Sequence, residues 1–200
     1  MGKLQVEMDL VAPYFVPGEE GTEDFVSWAE QGVKIRILTN ALEATDAVPA
    51  VHAFYAKRRK ALLEGGVRLY EMRRLLPVVE PKRDRPSSGS SPSSLHAKTF
   101  SVDREHVFVG SFHFDPRSAD LNTELGFVID SPVLATQIAT AFDDRVALLA
   151  YEVRVSEDGE LYWLEHGEDG WVRHDTEPGT SFFRRAQVWF LSLLPIEWLL

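Results

Sequence analysis

The chain has no cysteine among its 200 residues. Disulfides, cysteine-ligated zinc sites and thiol catalysis are therefore excluded. It also lacks any apolar run near the roughly 20 residues that a membrane-spanning helix needs. The nearest candidate, 188–200, is short and is interrupted by Pro195 and Glu197. Residues 1–7 lack the apolar core of a secretory leader, so the expectation is a chain without a signal peptide. Positive charge is scarce: 21 Lys and Arg stand against 31 Asp and Glu, a formal net charge of -10. Proteins that grip nucleic acid by its phosphates usually present a basic surface, so this balance counts against a nucleic-acid partner. Two local basic clusters, 57–60 and 82–85, read as solvated surface. No internal repeat is visible, and that lack bears on the chemistry below.

What is present is an ordinary globular composition, 44% apolar and 26% charged, in a length that suits one full domain with an appendage. Leu10, Val11 and Ala12 read as a strand stopped by Pro13. Thr22 reads as the N-cap of a helix that Gly32 ends. Residues 33–38 alternate with period two and read as a strand. A helix is expected over 49–64, stopped by Gly65 and Gly66, with a strand at 67–71. Strand–helix units in series predict a largely parallel sheet with helices on its faces. Residues 77–94 are rich in Pro, Ser, Gly and charge, and read as a linker leading into His96. Strands are expected at 98–102 and 106–109. The apolar run 125–129 is expected to be a central strand. Ser131 and Pro132 open a helix whose stripe is Leu134, Ile138, Phe142, Val146 and Leu149. Short strands with turns at Asp158-Gly159 and Asp169-Gly170 fill 151–175, and an amphipathic helix follows Ser181. The expected division is a catalytic domain over 1–150 and a C-terminal extension over 151–200.

One stretch carries most of the chemical meaning. His96, Lys98 and Asp103, followed by Gly110 and Ser111, spell H-x-K-x4-D-x6-G-S. On a strand, side chains two apart share a face, so an imidazole would stand beside an ammonium. That pair suits phosphodiester chemistry. The ring can attack phosphorus or donate a proton, and the fixed charge can meet the phosphate oxygens. His-x-Lys alone is weak, but Asp103, Ser111 and Glu124 at their intervals make chance a poor explanation. His96 and His113 have no third ligand at metal-ligand spacing, so no metal site is expected. For Arg117, a phosphate contact and pairing with Asp115 or Asp120 are equally open. Asn40 and Asp46 follow a strand, where ligand contacts gather, but their spacing gives no specific role. His52, His106, His166 and His174 have no motif around them and read as surface or packing residues.

The pattern resembles the signature of the phospholipase D superfamily. The residues Leu95, His96, Ala97, Lys98, Thr99 and Phe100, through Gly126, Phe127, Val128 and Ile129, look like the C-terminal catalytic half of bacterial cardiolipin synthases of that superfamily. Residues 12–18, 37–40 and the ending 189–200 share the likeness. The resemblance implies a phospholipase D-type α/β fold, a mixed sheet flanked by helices, with a small β-rich segment and amphipathic helix at the C-terminus. It implies phosphatidyl transfer or phospholipid hydrolysis through a phosphohistidine, with no cofactor. In its terms His96 is the general acid and later the base, and Lys98 neutralises the phosphate oxygens. Ser111 and His113 bind the phosphate. Glu124 orients an active-site histidine. Asp103 matches the third letter of the motif, although turn formation alone would also explain it. His113 departs from the family, which usually has asparagine there. A histidine can also donate a hydrogen bond, but it is bulkier and titrates.

The family uses two such motifs per active site, and this chain has one. The second set would come from a homodimer partner or from a missing N-terminal half, the account that the resemblance favours. The alternatives are a single-motif nuclease, against which the acidic charge counts, and an inert membrane-associated module. A phospholipid substrate implies peripheral membrane association at a bacterial cell membrane, the protein being otherwise cytoplasmic. The terminal helix would then lie either on its own domain or in the lipid interface, where Trp189 and Trp198 sit well.

Overall fold

A computed structural model describes residues 4–45, 49–74, 95–167 and 169–194. The linker 77–94, Asp46, Trp198 and the cluster 82–85 lie outside the described residues. Among the described residues the strands are β1 Glu7–Val11, β2 Lys34–Asn40, β3 Arg68–Met72, β4 Thr99–Val102, β5 His106–Gly110, β6 Gly126–Asp130, β7 Ala150–Val155, β8 Leu161–Gly167 and β9 Gly170–His174. They form one sheet in the order β6-β5-β4-β1-β2-β3-β7-β8-β9. The central trio β1, β2 and β3 is parallel, and every other neighbouring pair is antiparallel. The helices are α1 Gly18–Glu30, α2 Pro49–Glu64, α3 Pro116–Asp120, α4 Pro132–Asp144, α5 Val146–Leu149 and α6 Phe182–Ser192. This is the mixed, helix-flanked α/β sheet that the resemblance implied; the largely parallel sheet expected from the strand–helix units is confined to β1, β2 and β3.

The period-two pattern of β2 sorts its side chains between two cores. Ile35 and Ile37 join Leu10, Phe25, Tyr55, Leu62 and Leu69 under α1 and α2. Leu38 joins Tyr70, Phe142 and Val146 under α4 and α5. Arg36 also turns toward α4. Its Nε and Nη2 donate to the buried Asp9 carboxylate at 2.5 and 2.8 Å, and its Nη1 donates to Asp143 of α4. Beneath α2, Arg59 is buried between Glu71 and Glu177, at 3.4 and 2.6 Å, and the His52 ring lies 2.8 Å from the same Glu177 oxygen. Burial alone would push Glu177 up, but Arg59 and His52 hold its carboxyl down at about 2. This network ties the segment entering α6 to the sheet. Val188 of α6 then packs with Leu42 and Ala53. No helix among the described residues is long and apolar enough to cross a membrane.

Four expectations are corrected. Helix α1 begins at Gly18 rather than beyond Thr22; the Thr22 hydroxyl is spent inside the helix, donating to the Gly18 carbonyl at 2.5 Å. Strand β4 begins at Thr99, one residue after Lys98, though a backbone bond from Gly110 to the Lys98 carbonyl (3.2 Å) carries the ladder one step further. The expected single helix is split, with Val146 buried in the separate α5, and in α4 the buried stripe is Ala135, Ala139 and Phe142. Small alanines let that helix approach the sheet, and Leu134 and Leu149 stay exposed. Lastly, β6 is an edge strand rather than a central one, with every residue exposed. Its apolar run resembles a buried strand, yet Phe127 is 63% and Val128 53% accessible.

Candidate active site

The site gathers where the chain enters β4 and where it leaves β5. His96 and Lys98 precede β4. His96 is exposed and Lys98 half-buried, and the Lys98 ammonium donates to the His96 carbonyl at 3.3 Å. Gly110 and Gly126 face each other across β5 and β6. A Cβ on Gly110 would lie 2.5 Å from the Leu125 carbonyl, and one on Gly126 would overlap the Phe108 ring. The two glycines therefore let the strands close tightly just before Ser111. There the Ser111 amide donates to the Leu125 carbonyl at 2.8 Å, and the Leu125 amide donates to the Ser111 hydroxyl at 3.0 Å.

Glu124 is the acceptor of this group. The Ser111 hydroxyl donates to its Oε2, and the Ser118 hydroxyl donates to its Oε1 at 3.1 Å. The Ser111 bond, foremost, holds the Glu124 carboxyl below the usual carboxylate range. Ser118 is itself fixed at the start of α3, where its amide donates to the Asp115 cap at 2.7 Å. Arg117 donates from Nε to Asn122 Oδ1 at 3.3 Å.

His113 lies under the Tyr14 ring, stacked at 5.2 Å between centroids. Its Nδ1 is buried and has no hydrogen-bond partner among the described residues. Burial, followed by the positive charge of Lys98, lowers its pKa, with Asp115 and Glu124 pulling the other way and His96 adding a smaller lowering effect. Those couplings place Lys98, Glu124 and His96 within electrostatic reach of His113. Five of the six expected residues, His96, Lys98, Ser111, His113 and Glu124, thus form one open group. An imidazole, an ammonium and a hydroxyl beside a carboxylate can bind a phosphate and move a proton to or from its ester oxygen.

Asp103 is elsewhere. It sits at the other end of β4, in a turn where Asp103 and Arg104 take φ of 54° and 56°. Its carboxylate accepts from the amides of Gln5 (3.0 Å), Val6 (2.7 Å) and Glu7 (2.9 Å). These bonds tie the β4–β5 turn to the start of β1, the turn role that the sequence left open beside the motif match. Tyr14, Ser118 and Asn40 are contributors whose placement the sequence did not disclose. Among the described residues, no group of three or more histidine, aspartate or glutamate side chains is arranged to hold a metal ion.

Residues 2–146 match the family described as cardiolipin synthase, PLD-like domain. Over all 200 residues the chain is 44% identical to cardiolipin synthase C of Escherichia coli strain K12, covering 42% of that protein. It is 32% identical to an uncharacterized protein of Helicobacter pylori strain 26695, covering 93% of this chain and 36% of that one. The chain thus spans less than half the length of these relatives. Among solved structures, Nuc from Salmonella typhimurium, a phospholipase D family member, superposes with a TM-score of 0.55 at 19% identity over 76% of this chain and 84% of Nuc. By sequence and by fold, the chain belongs to the cardiolipin synthase, PLD-like domain family.

Proposed function

We propose that this chain supplies one half of a two-histidine site that transfers phosphatidyl groups between phospholipid alcohols, as in cardiolipin synthesis, or to water. The observation that carries the reading is the convergence of His96, Lys98, Ser111, His113 and Glu124 on one open surface. An imidazole nitrogen from a second motif attacks phosphorus, forming a P–N bond as the ester P–O bond breaks. His96 gives its proton to the departing alkoxide. It then takes the proton of the incoming alcohol, whose oxygen attacks phosphorus and releases the nucleophilic ring. Lys98 holds the non-bridging oxygens, with the Ser111 hydroxyl beside them. Imidazole suits both proton steps because its unperturbed pKa is near 6.5.

The second motif comes from chain outside these residues or from a second copy. The exposed apolar side chains beside the site, Leu125, Phe127 and Val109, offer a face for either to cover. Phe182, Phe183, Trp189, Phe190 and Leu193 are exposed on α6 and suit peripheral contact with a membrane surface. The test offers the purified chain phosphatidylglycerol vesicles, single-stranded DNA and a chromogenic phosphodiester, with its mass measured by sedimentation. Turnover of vesicle lipid supports the reading. Turnover of DNA alone favours a nuclease. No turnover by a dimeric form favours an inert module.

A further inference from the structure

Asn40 ends β2, is only 4% exposed, and touches the chain just before both His96 and Tyr14. Its Nδ2 donates to the Pro13 carbonyl and to the Leu95 carbonyl, each at 3.2 Å, and its Oδ1 accepts from the Leu95 amide at 3.0 Å. Both amide protons and the oxygen are thus committed. Leu95 immediately precedes His96. Pro13 immediately precedes Tyr14, whose ring stacks on His113. Residues distant in sequence are held from one buried amide on the central strand. The network also fixes the amide's orientation, since exchanging oxygen and nitrogen would aim Oδ1 at two carbonyl oxygens.

We infer that Asn40 is the positioning residue that sets His96 relative to His113, acting through the Leu95 backbone on one side and the Pro13–Tyr14 segment on the other. This rests on the proposed role of His96 as a reacting group. The side chain is buried and its polar atoms are bonded to backbone, so its effect is on geometry rather than on binding energy. An unoriented imidazole still meets phosphate but transfers its proton poorly, because catalysis of this kind depends on ångström-scale placement. Aspartate, of nearly the same size, is a poor substitute. It keeps the acceptor for the Leu95 amide but sets a carboxylate oxygen against two carbonyls.

The test compares the full chain with Asn40→Ala and Asn40→Asp. With bis(4-nitrophenyl) phosphate as probe, kcat should fall by about 10²-fold in both variants while KM stays within about twofold, the signature of lost orientation. Asn40→Asp should do no better than Asn40→Ala. Wild-type kcat in Asn40→Asp would overturn the inference. Should a variant not fold, the unmodified chain still decides: its Asn40 side-chain protons should exchange slowly with water, and exchange at the solvent rate would overturn the inference. Absence of diester turnover by a dimeric form of the unmodified chain would count against the proposed function instead. Asn40 is then judged by the imidazole signals in the alanine variant. Those of His96 and His113 should shift while that of His106 stays, and unmoved His96 and His113 signals would refute the role.

Discussion

The Tyr14 ring lies stacked on the His113 imidazole, 5.2 Å away with 27° between the planes. The contact holds a histidine where the family usually places asparagine. Burial and the neighbouring Lys98 charge lower its pKa, which favours the uncharged ring. Below the unfolded value of about 6.5 the unfolded chain binds this proton more readily than the folded one. The stability His113 contributes is therefore complete above that pH and declines as pH falls toward the lowered folded value. His113→Asn should keep turnover at pH 7.5 and should lose less melting temperature than the wild type between pH 7.5 and 5. Equal losses would show that the ring does not titrate as described.

Ser111 and Glu124 form the second coupled pair. The serine hydroxyl is the main cause of the lowered Glu124 pKa. Ser111→Ala should raise the Glu124 titration midpoint, followed by carboxyl-carbon NMR, and move the acid limb of the rate profile to higher pH in the same direction. An unchanged midpoint would mean that Ser118, Asn122 and His113 hold the carboxylate without it.

Asp103 tests the reach of motif reading. Three backbone amides occupy its carboxylate, far from the imidazoles. Asp103→Ala should cost roughly 1–3 kcal/mol in denaturant unfolding, since hydrogen bonds to a charged group are lost. Turnover per folded molecule should stay within about twofold, because no interaction with the transition state is removed. A folded variant with a large fall in kcat would restore Asp103 to the chemistry.

These outcomes follow the boundary between what the sequence discloses and what it does not. The short-range signals were legible. Alternation marked β2, Gly65 and Gly66 ended α2, Ser131 and Pro132 opened α4, and two Asp-Gly turns separated β7, β8 and β9. The group around His96 was legible because its members lie within one stretch of chain with fixed intervals. Tyr14, Asn40 and Ser118 were not, because their roles arise only when β1, β2 and α3 are brought to the same end of the sheet. Composition also misled at β6. An apolar strand reads as central whether neighbouring strands cover it or, as here, it is left exposed at an edge.

The central claim is that His96 moves the proton of a phosphodiester oxygen. The most direct measurement is the rate of phosphatidyl release from phosphatidylglycerol vesicles by the wild type and by His96→Ala, with folding of both verified by circular dichroism. The account predicts a loss of about 10³-fold or more in the variant, in keeping with removal of a general acid–base group. A folded His96→Ala protein that releases lipid at the wild-type rate would contradict it.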